Sequence, residues 1–123
     1  MNNLAKVLSS GANLELSMAS FQESHKLFKA VMKELGSLES SLEMDKKLMV
    51  RLVSSEEIER CLWPCMARGA YDKVKINADL FEEVATARED FLEIAMVTLE
   101  FNLRPFFKGL VSPSKDTAQA KSS

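Results

Sequence analysis

The stretch that decides the fold lies at residues 86–104 and reads TAREDFLEIAMVTLEFNLR. At about 100° per residue, four of its charged side chains fall in one narrow stripe, and apolar side chains cover most of the remaining surface. The stripe consists of Glu89, Glu93, Glu100 and Arg104. Because such a helix has to be packed on several faces, we expect it to be the buried centre of the domain.

Local signals set the predicted ends of this central helix. Thr86 is followed three residues later by Glu89, and this capping box is typical of a helix start. Pro105 predicts the end, because the residue before a proline is pushed out of the α region. The predicted helix therefore spans residues 86–104 and is about 28 Å long, close to the diameter of a small domain.

The composition is that of one soluble globular domain. Of 123 residues, 46% are hydrophobic and 28% are charged, which is enough to form a core. Sixteen basic and eighteen acidic residues give a net charge of −2 without a Lys/Arg cluster, so we expect no nucleic-acid partner. The chain has neither a long apolar run nor a signal-peptide pattern, which predicts a cytoplasmic protein that does not enter the membrane.

The first helix is predicted at residues 20–35. Ser20 and Glu23 form a capping box, and Gly36 is well placed as the residue after the helix. The predicted inward face is set by apolar residues at helical spacing: Phe21, Phe28, Val31, Met32 and Leu35. His25 lies on the same side, and we interpret it as a partly buried structural residue.

Three shorter helices follow in the prediction. One spans about residues 45–53, and the next spans residues 54–69, where a serine capping box marks its start. Pro64 lies inside the second of these and predicts a kink or a break. The third is a short helix capped by Asn77 or Asp79.

The first eighteen residues carry a different pattern. Leu14, Leu16 and Met18 alternate with polar residues, which is the period of a strand. Since a strand needs a partner, and residues 3–9 or 73–76 could supply it, a small hairpin or edge pairing stays open.

These elements predict a mainly α fold. We expect a single domain of about five helices over residues 1–111, with residues 86–104 at its centre. The remaining residues, 112–123, contain no large apolar side chain and are predicted to form a disordered polar tail.

The sequence contains no recognisable catalytic or metal-binding motif. Cys61 and Cys65 stand four residues apart, which is not the CxxC spacing, and His25 is too far away in sequence to complete an obvious zinc site. We expect both cysteines to be reduced and buried. Because the four glycines are scattered, no phosphate-binding loop is present. The prediction is a non-catalytic protein that needs no metal or cofactor.

Three segments occur in a familiar order: LELSMASFQESHKLFKAVMKEL, IERCLWPCMARGAYDKVKI and AREDFLEIAMVTLEFNLRPFFKGL. An opening strand precedes a helix that begins Ser-Phe, a middle segment carries Trp-Pro-Cys, and a last helix ends near Pro-Phe-Phe. This pattern resembles the tail assembly chaperones of long-tailed bacteriophages and prophages. The resemblance covers about residues 14–110.

The resemblance implies a non-catalytic assembly factor. It would bind the tape-measure protein and the tail-tube protein in the host cytoplasm and be absent from the mature virion. Such families often also yield a longer product by ribosomal frameshifting. The alternative is a bacterial secretion chaperone or a helical protein–protein adaptor, and a homo-oligomer stays open.

A chaperone for a helical client needs apolar surface between helices. The candidates for partner binding are large aromatic residues near the prolines of the chain: Trp63, Tyr71, Phe106 and Phe107. The alternative interpretation is that all four belong to the core.

Overall fold

A computed structural model describes the backbone at residues 3–36 and 46–120 and the side chains at residues 3–36 and 46–106. This part of the chain contains six helices and a small antiparallel sheet. The predicted mainly α class is therefore confirmed. None of the described helices combines the length and the apolarity that crossing a membrane requires.

The sheet has four strands in the order β1-β2-β3-β4. They are β1 (Asn3–Val7), β2 (Asn13–Ser17), β3 (Ala70–Tyr71) and β4 (Val74–Lys75). The predicted N-terminal hairpin is confirmed, since β1 pairs with β2 in an antiparallel register. The run at residues 73–76 joins the same sheet, but through β3 rather than through β2. Leu14 and Leu16 of β2 are buried, so one face of the sheet packs on the core.

The helices are α1 (Phe21–Leu35), α2 (Lys46–Val53), α3 (Glu56–Met66), α4 (Ala78–Glu83), α5 (Ala85–Glu89) and α6 (Phe91–Ala120). Side-chain caps explain where three of them begin. The Ser20 hydroxyl accepts a hydrogen bond from the Glu23 N–H at 3.2 Å, as predicted for α1. Ser55, rather than Ser54, caps α3. Asn77, one of the two predicted residues, caps α4.

The predicted central helix is two helices. Residues 86–104 are divided at Asp90, a turn residue that ends α5, and α6 begins at Phe91. Thr86 is not a cap, because α5 begins at Ala85 and has no side-chain cap hydrogen bond. The buried Asp90 carboxylate at this division accepts hydrogen bonds from hydroxyl groups elsewhere in the chain.

Neither Pro64 nor Pro105 ends a helix. α6 continues through Pro105 to Ala120, so the predicted end is wrong, and the backbone of residues 112–120 is helical where the sequence predicts a disordered tail. α3 likewise continues through Pro64 to Met66. An internal proline costs about 3 kcal/mol. Burial of neighbouring side chains, such as Leu103 before Pro105, offsets that cost.

The long helix α6 is nevertheless the centre of the packing, as its apolar sides predict. It contacts α1, α2 and α3, and Ile94, Leu99 and Leu103 are completely buried. The inward face of α1 differs from the prediction, because it is centred on Leu27 and Val31. Phe21 and part of Phe28 are consequently turned toward solvent. Gly36 is right-handed, with φ −56°, so it does not form the left-handed cap for which glycine is favoured.

Candidate partner-binding surface

Tyr71 does not belong to a partner-binding surface. Its side chain is only 2% exposed, and its hydroxyl donates a hydrogen bond to Asp90 Oδ2 at 2.7 Å. Burial raises the pKa of the Tyr71 hydroxyl above its usual value, so the group remains a neutral donor. The predicted role is therefore wrong, because Tyr71 holds β3 against the start of α6.

Trp63 is half-buried on α3 and lies in a group of three aromatic rings. Its ring centroid is 5.9 Å from that of Phe81, in an edge-on arrangement, and 6.2 Å from that of Phe91. Phe81 and Phe91 also meet edge-on, at 5.2 Å. These contacts hold α4 against α3 and α6, so much of the Trp63 ring already has a partner inside the domain.

Phe106 lies in a second aromatic group, which we name the Phe106 cluster: Phe21, His25, Phe28 and Phe106. The Phe106 ring is stacked on Phe28 at 4.7 Å and on His25 at 6.0 Å. His25 is in turn stacked on Phe21 at 5.2 Å. Phe106, His25 and Phe28 are half-buried, whereas Phe21 is 68% exposed. The Phe107 side chain lies outside the described residues.

A groove of about 280 Å³ opens beside this cluster, between the start of α1 and the middle of α6. We name it the Phe106 groove. Its lining is apolar apart from two buried polar residues, Ser24 and Asn102. The apolar lining residues are Met18, Ala19, Phe21, Pro105 and Phe106. Large apolar and aromatic side chains around a concave site are typical of surfaces that receive an apolar side chain from another protein.

Asn102 fixes the geometry of this groove. It is 1% exposed, and its Oδ1 accepts a hydrogen bond from the Ala19 N–H at 2.9 Å. Its Nδ2 donates to the Thr98 carbonyl at 2.9 Å, and the Ser24 hydroxyl lies 3.5 Å from Oδ1. The buried amide is thus satisfied, and it ties α6 to the residues just before α1.

The sequence prediction of the site includes none of the residues of the Phe106 groove except Phe106, and it misses Phe21 and Asn102 for different reasons. The helical spacing places Phe21 on the core face of α1. Phe21 directly follows the cap at Ser20, and side chains in a first turn can also face solvent. Asn102 gives no signal in the sequence, because a single asparagine on an apolar helix does not reveal its partners. Phe106 is the predicted residue that the structure brings into the groove.

The cysteines have no metal-binding geometry. Both are free, Cys65 is fully buried and Cys61 is half-buried. Burial, with a smaller contribution from the nearby Glu23 carboxylate, raises the pKa of the Cys65 thiol to about 12. Across the described residues, no group of three His, Cys, Asp or Glu side chains could hold a metal ion.

The buried Asp90 carboxylate forms the other polar cluster of the domain. It accepts hydrogen bonds from the Ser10 hydroxyl at 2.6 Å and from the Tyr71 hydroxyl at 2.7 Å. Nearby, Glu93 accepts from the N–H and the hydroxyl of Ser9. The cluster fastens the β1–β2 turn to the start of α6.

Comparison of the chain with models of known protein families, with curated proteins and with solved structures found no match. Any functional assignment therefore rests on the residues and the surfaces of this chain.

Proposed function

We propose that the protein is a tail assembly chaperone of a long-tailed phage or prophage, which binds the tape-measure protein and the tail-tube protein while the tail is built. Two arguments support this role: the sequence resemblance over residues 14–110, and an exposed aromatic groove on an otherwise compact small domain. The observation that carries the binding role is the 68% exposure of Phe21 at the Phe106 groove.

The physical argument concerns the client. A long amphipathic helix that has not yet been enclosed exposes an apolar stripe, and such stripes associate with one another. A groove lined by aromatic rings can receive the anchor residues of one turn of that stripe. Binding would then keep the client apart from other clients, without any chemical step.

The alternative is a bacterial secretion chaperone or a helical adaptor, for which the same groove could serve. Gene neighbourhood separates these roles. An upstream gene for a tail-tube protein and a downstream, very long gene for a tape-measure protein support the phage role, and genes for a secretion apparatus support the alternative.

Co-expression tests the chaperone role itself. The long gene from the same operon is expressed with and without this protein, and the soluble fraction of its product is measured. We expect the product to be insoluble alone and to become soluble with the wild-type protein. An unchanged soluble fraction, for a correctly identified gene pair, would contradict the proposal.

Two variants connect that result to the surface. Phe21 lies in the first turn of α1, where an aspartate is favoured by the helix dipole, so Phe21→Asp should fold. Leu92, 46% exposed in the first turn of α6, gives the matched control Leu92→Asp. Loss of client solubility with Phe21→Asp alone supports the Phe106 groove, whereas an equal loss with both variants counts against it.

A further inference from the structure

The outer edge of β1 carries backbone groups that have no partner strand among the described residues. β1 is the first strand in the order β1-β2-β3-β4, so only one of its sides is paired. The opposite edge of the sheet, β4, has two residues, whereas β1 has five. Unpaired N–H and C=O groups along a strand of this length form a template for another strand.

The hydrogen-bond pattern shows which residues face this edge. At the end of the hairpin, the Leu8 N–H donates to the Ala12 carbonyl at 2.8 Å. Because bonded and non-bonded pairs alternate along an antiparallel ladder, the backbone groups of Leu4 and Lys6 are directed toward β2. Those of Asn3, Ala5 and Val7 are directed outward.

Lys6 is the one feature of this edge that proteins commonly use to prevent strand pairing. The strand sequence, NLAKV, contains no proline, and its register with β2 is continuous and free of a bulge. Its one charged residue, Lys6, lines a pocket on the helical side of the sheet together with Lys46, Glu93 and Glu100. Asn3, Ala5 and Val7 are exposed and uncharged, and Val7 is 64% exposed.

We propose that this edge pairs with the same strand of a second copy of the chain, antiparallel and with Ala5 on the two-fold axis. The strand is complementary to itself in this arrangement. Ala5 lies opposite Ala5 of the second copy, Asn3 opposite Val7, and Leu4 opposite Lys6, so no like charges are directly opposed. Each of the three outward-facing residues then donates one hydrogen bond and accepts one.

The charges near the axis are compatible with a second copy. The two Lys6 side chains are diagonal neighbours in this pairing, and the pocket that each of them lines also contains Lys46, Glu93 and Glu100, so its charges balance and the repulsion is reduced. Because pairing of two five-residue strands buries less than a standard interface, the dimer is weak and depends on concentration. The pairing joins the two sheets into one continuous sheet, and the Phe106 groove is not required for it.

The test changes Ala5, whose neighbour in β2 is Glu15. In the dimer, Ala5→Glu would create a row of four carboxylates across the two sheets, whereas Ala5→Lys would place two ammonium groups between two carboxylates. Like charges that are directly opposed destabilise strand pairing, but in Ala5→Lys each of the two opposed ammonium groups has a Glu15 carboxylate on its other side, which largely cancels their repulsion. Both variants change one exposed residue, and circular dichroism and melting temperature verify that each is folded.

Sedimentation equilibrium from roughly 10 µM to 1 mM measures the association of the wild type and of both variants. We expect a wild-type dimer whose dissociation constant rises at least about tenfold with Ala5→Glu and changes less than about threefold with Ala5→Lys. A wild type that remains monomeric over this range would overturn the proposal, and so would equal effects of the two charges.

A cross-link locates the axis independently. In a protein that also carries Cys61→Ala, Ala5→Cys is expected to form an intermolecular disulfide under mild oxidation, because opposed residues of a bonded pair have Cα atoms about 5.5 Å apart. Ser17→Cys, exposed on β2, is the control and should not cross-link. Equal cross-linking by both variants, or dimerisation without a cross-link at position 5, would contradict the β1 pairing.

Discussion

The Tyr71 hydroxyl donates a hydrogen bond of 2.7 Å to the Asp90 carboxylate and thereby joins the β3–β4 hairpin to the residue that directly precedes α6. Ser10, in the turn between β1 and β2, donates to the same oxygen at 2.6 Å. Asp90 therefore connects the sheet and the helical part of the domain, and its position divides α5 from α6.

Removal of the Tyr71 hydroxyl should destabilise the fold. In Tyr71→Phe, the buried Asp90 carboxylate loses one of its two donors, so we expect a loss of about 1–3 kcal/mol and a melting temperature lowered by roughly 4 °C or more. The control Ser9→Ala removes a hydrogen bond to Glu93 that is exposed, and it should cost less than about 0.5 kcal/mol. Equal melting temperatures for the two variants would contradict the role of the Tyr71–Asp90 contact.

The burial of α6 predicts a large difference between two adjacent residues. Ile94 is completely buried, so Ile94→Asp leaves a carboxylate without a partner in the core and should prevent folding, given a total stability of about 5–15 kcal/mol. Glu93→Gln keeps an oxygen that can accept the hydrogen bonds from Ser9, and it should change little. Thermal unfolding followed by circular dichroism distinguishes the two, and a folded Ile94→Asp variant would refute the placement of this face.

The cysteines should differ in reactivity toward a thiol reagent. Cys65 is buried and its pKa is raised to about 12, so its thiolate is scarce in the native state at neutral pH. The Cys61→Ala variant should therefore show no rapidly titrated thiol until denaturant is added. The Cys65→Ala variant retains the half-buried Cys61, whose thiol should react before denaturant is added. Fast reaction of Cys65 in native protein would rule out this packing.

The same raised pKa predicts how stability depends on pH. Between pH 9.0 and about pH 12, Cys65 loses its proton in the unfolded chain but keeps it in the folded chain. The unfolded state is thus favoured as the pH rises through this range, and the contribution of Cys65 to stability is complete only below it. Denaturant unfolding of the wild type should show a steeper decline of stability over this range than that of Cys65→Ala.

The polar end of the chain should be dispensable for folding. Residues 114–123 include no large apolar side chain whose burial could offset the entropy of ordering them. Deletion of these residues should leave the melting temperature unchanged to within about a degree. A substantial decrease would mean that this end of α6 packs against the domain.

The fold class could be predicted because its signals are local. The caps at Ser20 and Asn77 and the alternation in β2 are read directly from neighbouring residues, and the structure contains each of them. The contacts of Asp90 could not be predicted, because its partners Ser10 and Tyr71 are distant in sequence. The rule that a proline ends a helix failed at Pro105, where packing of the preceding turn outweighs the local cost.

The candidate surface was predicted only in part, for a related reason. Phe106 was identified because a large aromatic beside a proline is visible in the sequence. The sequence also presents Tyr71 as a large aromatic residue, but only the folded chain shows that its hydroxyl group binds the buried Asp90. Phe21 was misassigned because the apolar face of α1 is wide, and the choice of its centre depends on how α6 packs against it.

The central claim is that the Phe106 groove binds the apolar stripe of a helical client. Its most direct test is calorimetric titration of the purified protein with a soluble amphipathic segment of the tape-measure protein from the same operon. We expect binding that Phe21→Asp weakens at least about tenfold, which corresponds to about 1.4 kcal/mol, while the exposed control Leu92→Asp leaves the affinity unchanged. Absence of binding by the wild type, or equal affinities for the wild type and a folded Phe21→Asp variant, would contradict the account.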